Sequence, residues 1–184
     1  VDITASGATA TDATTILAGA FKNGKTTSNK IELGYGNNDV TLNSISGYNS
    51  KGVRHDAQII LGSDTQDFAQ KLKVTGSVNG MDYIGKSKGA DTIEILGALA
   101  NASFEVGAGD NSLTVGKSVK GISYIGTDGK DDISVGLGGA ANSAFDLGAG
   151  ANSLTAVATV KGNAVYQTLA DVNIDASGTA ATDI

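Results

Sequence analysis

The chain has 184 residues, a formal net charge of −6, 26 glycines, no proline and no cysteine. That length suits one domain or one piece of a longer array. The missing cysteine excludes disulfides and thiolate metal sites, and an acidic chain whose 13 Lys and Arg residues are scattered disfavours nucleic acid as a partner.

Abundant glycine without proline is unlike a disordered linker, which usually carries both. It suits tight turns between strands whose ladders lose no donor. Aromatic residues make up only 5% of the chain and tryptophan is absent, so the core must be thin and filled by Val, Ile, Leu and Ala. No apolar run reaches the length of a membrane span. The chain opens on Val1 with no signal-peptide pattern, which reads as a processed terminus or a segment of a larger protein.

In chain order, residues 1–30 read as an N-terminal cap or docking segment. Within them Asp12–Phe21 is the one stretch that suits a short helix, with Asp12 as its N-cap. Next comes a phrase written three times: Ile31-Glu-Leu-Gly-Tyr-Gly-Asn-Asn-Asp-Val-Thr-Leu42 returns at Phe104–Val115 and at Phe145–Ala156. It reads as strand, glycine turn, strand. Residues 47–56 read as a protruding loop. The segment Val78–Gly85 is echoed 41 residues later by Val119–Gly126. Each 41-residue block divides into halves. One half carries Phe-Glu/Asp-apolar-Gly-Ala-Gly, the other Tyr-Ile-Gly, a polar turn and an Asp-led strand. Unit starts at Ile60, Tyr83, Phe104, Tyr124, Phe145 and Val165 lie roughly 20 residues apart, a solenoid period. Apolar residues alternate within each unit, the strand period.

These observations predict an all-β, parallel β-solenoid spanning 1–184 as one domain, with roughly seven to eight short coils. Repeated positions then form columns, with Phe104 near Phe145, Tyr83 near Tyr124, and Asn38, Asn111 and Asn152 aligned so that amides bond along the axis. Gly34, Gly36, Gly107, Gly109, Gly148 and Gly150 are the structural turn residues, where positive φ or the lack of room for Cβ calls for glycine. The two ends resemble each other: Val1–Asp12 matches Val172–Asp183, so the chain begins and ends in one phase of its repeat, or both ends are ordinary units.

Acids gather in the turns. Asp128, Asp131 and Asp132 are the sharpest candidate set for calcium, followed by Asp91, Asp64 and Asp67, because calcium takes several carboxylate and carbonyl oxygens. The alternative is that Asp simply makes good turns. Gly126-Thr-Asp-Gly-Lys-Asp-Asp-Ile133 resembles the RTX repeat of bacterial secreted proteins, whose Gly-Gly-x-Gly-x-Asp-x-apolar-x units form a calcium-loaded parallel β-roll. The Gly-Gly pair is missing here, and Asn stands at the acid position in the other turns. In composition the chain is also similar to bacterial S-layer and adhesin proteins. The Gly-x-Gly-x-Asn phrase is similar to curli-type repeats, without their glutamine columns. The resemblance implies calcium as cofactor.

Catalysis has little footing. His55 is the only histidine, no Ser/His/Asp set is evident, and Gly-x-Gly lacks the third glycine and the helix of a dinucleotide site. The expected function is therefore structural rather than enzymatic: an extracellular or cell-surface bacterial protein that stacks through its β edges onto copies of itself, as S-layer, adhesin stalk or filament. Alternatives are a calcium-binding RTX-type module or, less in keeping with repeated acids, a polysaccharide-active β-helix; cell-surface polysaccharide is a further candidate partner.

Overall fold

A computed structural model describes residues 2–5, 13–24, 28–50, 53–63, 67–156, 160–161, 164–165 and 169–175. Among the described residues the protein is all-β, without helix. Its parallel strands stack as a β-solenoid of about six turns, about 21 residues per turn. The estimate of roughly seven to eight coils is high because some intervals are long: the register partners Ile3 and Ile31, and again Ile31 and Ile59, are 28 residues apart. Part of the second excess is an antiparallel hairpin, Tyr48–Ser50 with Val53–His55, that stands outside the stack.

Each regular turn has three faces. On the first face, Ile31, Ile59, Tyr83, Phe104, Tyr124 and Phe145 are successive register partners. On the second, Val40, Leu72, Ile93, Leu113, Ile133 and Leu154 form the ladder. The third is only two residues wide: Ile45–Ser46, Val78–Asn79, Leu99–Ala100, Val119–Lys120 and Ala140–Ala141. In the second-face strands the apolar residues point inward and alternate with polar neighbours that point out. Val40, Leu42, Leu72, Val74, Ile93, Ile95, Leu113, Val115, Ile133 and Val135 are all at most 1% exposed. The rings lie one above another, with centroids 6.2 Å apart for Tyr83–Phe104 and 6.4 Å for Phe104–Tyr124. Phenylalanines and tyrosines thus alternate in one column.

The corner from the third face to the first is made by one left-handed residue per turn: Gly80 (φ 81°), Asn101 (50°), Gly121 (63°) and Asn142 (49°). Only glycine, and asparagine among the rest at small cost, adopts this conformation routinely. The alternation of Gly and Asn at this spacing was the sequence signal for the third face.

Three expectations need correction. The Asp12–Phe21 stretch is not a helix. Ala13–Lys22 is a strand in parallel register with Asn37–Ser46, because Thr14, Thr15 and Ile16 are β-branched and a neighbouring ladder is there to receive them. Asp12 lies outside the described residues. The phase at Ile60 is off by one: Ile59 holds the inward position, completely buried, and Ile60 faces out. Val165 does not open a unit either; it pairs antiparallel with Val160, and Ile174 is the partner of Phe145.

The phase correction is testable. Ile59→Ala should cost about 3 kcal/mol and Ile60→Ala under about 1 kcal/mol, read from denaturant midpoints at constant m.

Candidate functional site

Where the first face turns into the second, each turn sends one polar side chain inward. Asn38, Gln70, Asp91, Asn111, Asp131 and Asn152 are all 0–2% exposed. They are successive members of one column. The expected asparagine column is thus a mixed one: Asn111 and Asn152 lie two turns apart, with Asp131 between them.

Hydrogen bonds run along it. Asn38 Nδ2 donates to Gln70 Oε1 at 2.6 Å. The Asp91 amide donates to Asn111 Oδ1 at 2.9 Å, Asn111 Nδ2 donates to Asp131 Oδ1 at 3.0 Å, and the Asp131 amide donates to Asn152 Oδ1 at 2.9 Å. Each asparagine also ties its own corner: Asn38 Nδ2 donates to the Gly34 and Gly36 carbonyls, Asn111 Nδ2 to Gly109, and Asn152 Nδ2 to Gly148. Buried backbone carbonyls that would otherwise lack donors are satisfied in this way. Of the expected turn glycines, Gly36, Gly107, Gly109, Gly148 and Gly150 have positive φ, and Gly34 does not. Gly109 shows the second constraint, since a Cβ there would approach the Gly89 carbonyl oxygen to 2.7 Å.

The two aspartates come with their own surroundings. Gly85 and Gly126 face Asp91 and Asp131 within the same turn, and a Cβ on either glycine would overlap the carboxylate. Tyrosines of the same turns reach the carboxylates too. Tyr83 Oη donates to Asp91 Oδ2 at 3.0 Å, while the Tyr124 hydroxyl faces Asp131 without closing a bond of ordinary geometry. In the asparagine turns the same positions read Phe104, Val106 and Asn111, then Phe145, Leu147 and Asn152, all buried. The 41-residue period is therefore an alternation of two interior fillings, Tyr-Gly-Asp and Phe-apolar-Asn. Burial pushes the Asp91 carboxyl up to about 7, against the Tyr83 hydrogen bond, and Asp131 up to about 6, against the Asn111 hydrogen bonds. Both tyrosine hydroxyls are raised, chiefly by burial.

The proposed calcium ligands are spread rather than gathered. Asp131 turns into the core. Asp132, the next residue along the strand, points to the other face and meets Lys130 at 2.6 Å and Ser153 Oγ at 2.6 Å. The Lys130 hydrogen bond holds Asp132 below the usual carboxylate range. Asp128 is exposed on its corner, where its backbone bridges to Ala149. Asp91 is interior and Asp67 exposed; Asp64 lies outside the described residues. Among the described residues no three His, Asp or Glu side chains are grouped to hold a metal ion. His55 sits half-buried on the outer hairpin, where Asn23 Nδ2 donates to its carbonyl.

The fold and its interior define a β-solenoid repeat protein. Compared with protein-family models, with curated proteins and with solved structures, the chain matches none. Among the described residues no helix is long and apolar enough to cross a membrane.

The glycine notch predicts a coupling. Gly126→Ala should destabilise by about 2 kcal/mol through overpacking. In the Asp131→Asn background, where the amide can swing to its own corner, the cost should fall by about 1 kcal/mol in a double-mutant cycle of unfolding free energies.

Proposed function

We propose that the protein is a structural subunit that assembles by stacking its solenoid end to end on further copies of itself. The observation that carries this reading is an apolar interior that, among the described residues, is less covered on the strands Ala13–Lys22 and Ser153–Ala156. Ala18 is the register partner of Leu42, which is completely buried, yet Ala18 is exposed; Ile16, the partner of buried Val40, is only partly covered. At the other end Leu154 and Ala156 are half-buried, while their partners Ile133 and Val135 are at most 1% exposed.

Ladder edges accompany these strands. Among the described residues Ala13–Lys22 pairs only with Asn37–Ser46, and Ser153–Ala156 only with Asp132–Val135. An unpaired parallel edge over an unfinished core is a template for another strand. The phase supports the same reading, since Ile3 and Ile174 hold the same register position on the first face. A second copy adds its first-face strand where the ladder would place the next one. In a bacterium such a subunit would serve outside the cell, as surface layer, adhesin stalk or filament.

Negative-stain microscopy and sedimentation velocity, with and without calcium, test this. The wild-type chain should form linear polymers whose length grows with concentration. Ala18→Glu, which places a charge on the first of these strands without touching the closed turns, should leave monomers with an unchanged melting temperature. Isolated wild-type monomers at high concentration in both conditions would overturn the reading.

A further inference from the structure

Asp91 and Asp131 are the two carboxylates placed wholly inside the stack among the described residues. Among the described residues no cation faces either of them. On the strand Gln70–Val74, Lys71 and Lys73 point outward to Asp39 and Glu94. Lys86, Lys88 and Lys130 are exposed on the corners, and Asp82 is turned outward to Ser103. What faces Asp91 is Tyr83, Ser87, Gln70 and Asn111; what faces Asp131 is Tyr124, Asn111 and Asn152. The charges that act on the pair are acidic: Asp131 on Asp91, and Asp110 on Asp131.

We propose that these two carboxyl groups hold protons in the folded stack, making the Tyr-Gly-Asp turns a latch that acid closes and rising pH opens. Burial without a counter-charge supports this: Asp91 is 0% and Asp131 1% exposed. The Ser87 hydroxyl beside Asp91 and the Tyr124 hydroxyl beside Asp131 act against burial, as donors to the carboxyl oxygens they face, and do not overcome it. Ionised, the two groups are charges with no counter-ion, about 10 Å apart, two strand spacings along the ladder. Protonated, they take the place that asparagine holds in the alternate turns, neutral and able to donate. The glycines at 85 and 126 give the carboxyl the room it needs.

The direction follows from linkage. With Asp91 near 7 and Asp131 near 6, the folded chain binds more protons than the unfolded chain from about pH 4 to 7. Stability is complete below the ordinary carboxylate range and declines as pH rises through 6 and 7. Glu32 and Asp132, held low by hydrogen bonds from Lys30 and Lys130, act in the opposite sense and only at lower pH. The latch does not depend on end-to-end assembly and is measurable on dilute monomer.

Thermal unfolding of the intact chain should show a midpoint about 10 °C lower at pH 8 than at pH 5. The double variant Asp91→Asn/Asp131→Asn should hold its midpoint within about 2 °C over that window. A wild-type midpoint independent of pH, or an equal slope in the double variant, would overturn the proposal. Infrared spectroscopy of the wild-type protein gives a second reading that needs no variant to fold. At pH 5.5, where surface acids are ionised, a protonated carboxyl carbonyl band should remain and disappear between pH 6 and 8. Absence of that band at pH 5.5 would equally sink the idea.

Discussion

Everything in this molecule depends on the spacing of the parallel ladder. Strands about 4.8 Å apart give each inward side chain one neighbour above and one below, and little else. A residue here is therefore chosen by the residues about 21 positions away rather than by those beside it. The corners obey the same rule: Gly109 has no Cβ because the Gly89 carbonyl oxygen of the adjacent turn occupies the space. With so few aromatic residues, the core is held by columns of Ile, Leu and Val that each bury one face of a short strand. No turn could do this alone, so the fold and the repeat are one fact.

The same spacing explains why the sequence echoes most strongly at twice the turn length. A column of identical asparagines would suffice for hydrogen bonding, but the chain alternates Asn with Asp and adjusts two further positions to match. Where Asp91 or Asp131 enters, the facing residue is Gly85 or Gly126 and the ring carries a hydroxyl. Where Asn111 or Asn152 enters, the residue in that place is Val106 or Leu147 and the ring is phenylalanine. The volume surrendered by the glycine is filled by the carboxyl and the tyrosine hydroxyl, so the turns stay equally thick. The earlier turns use Ile31 with Leu33 and Asn38, then Ile59 with Leu61 and Gln70. There, a longer amide reaches the axis after a longer corner.

Much of this was legible in the sequence. Strand periodicity, the repeated phrase and the glycine turns were enough for the solenoid, and for the columns of rings and asparagines. What escaped was the phase wherever the repeat is degenerate. In Ile59-Ile60-Leu61 two adjacent isoleucines carry no alternation, so the buried one is named only by its register with Ile31 and Tyr83. The helical reading of Asp12–Phe21 came from local pattern in a stretch whose strand form is decided by its neighbour Asn37–Ser46. The third face is two residues wide, too short for periodicity to register, although the Gly80, Asn101, Gly121, Asn142 series marks its corner. The acids misled by composition. Asp131 and Asp132 are adjacent in sequence, but in a strand that adjacency separates them, one into the core and one onto Lys130.

That inward turn also bears on how the turns find their register. The corners carry exposed charges, Lys86, Lys88, Asp128 and Lys130 among them. The polar groups bonded to one another along the axis are inside. Buried polar groups are costly unless fully paired, and their best-attested service is to fix register. A slip of one turn would set like beside like in the column, Asp against Asp, where the Asn111 amide now donates to Asp131. The column thus penalises misregistered stacking far more than an apolar core of equal volume would. A chain of near-identical turns needs that discrimination to fold in a single register.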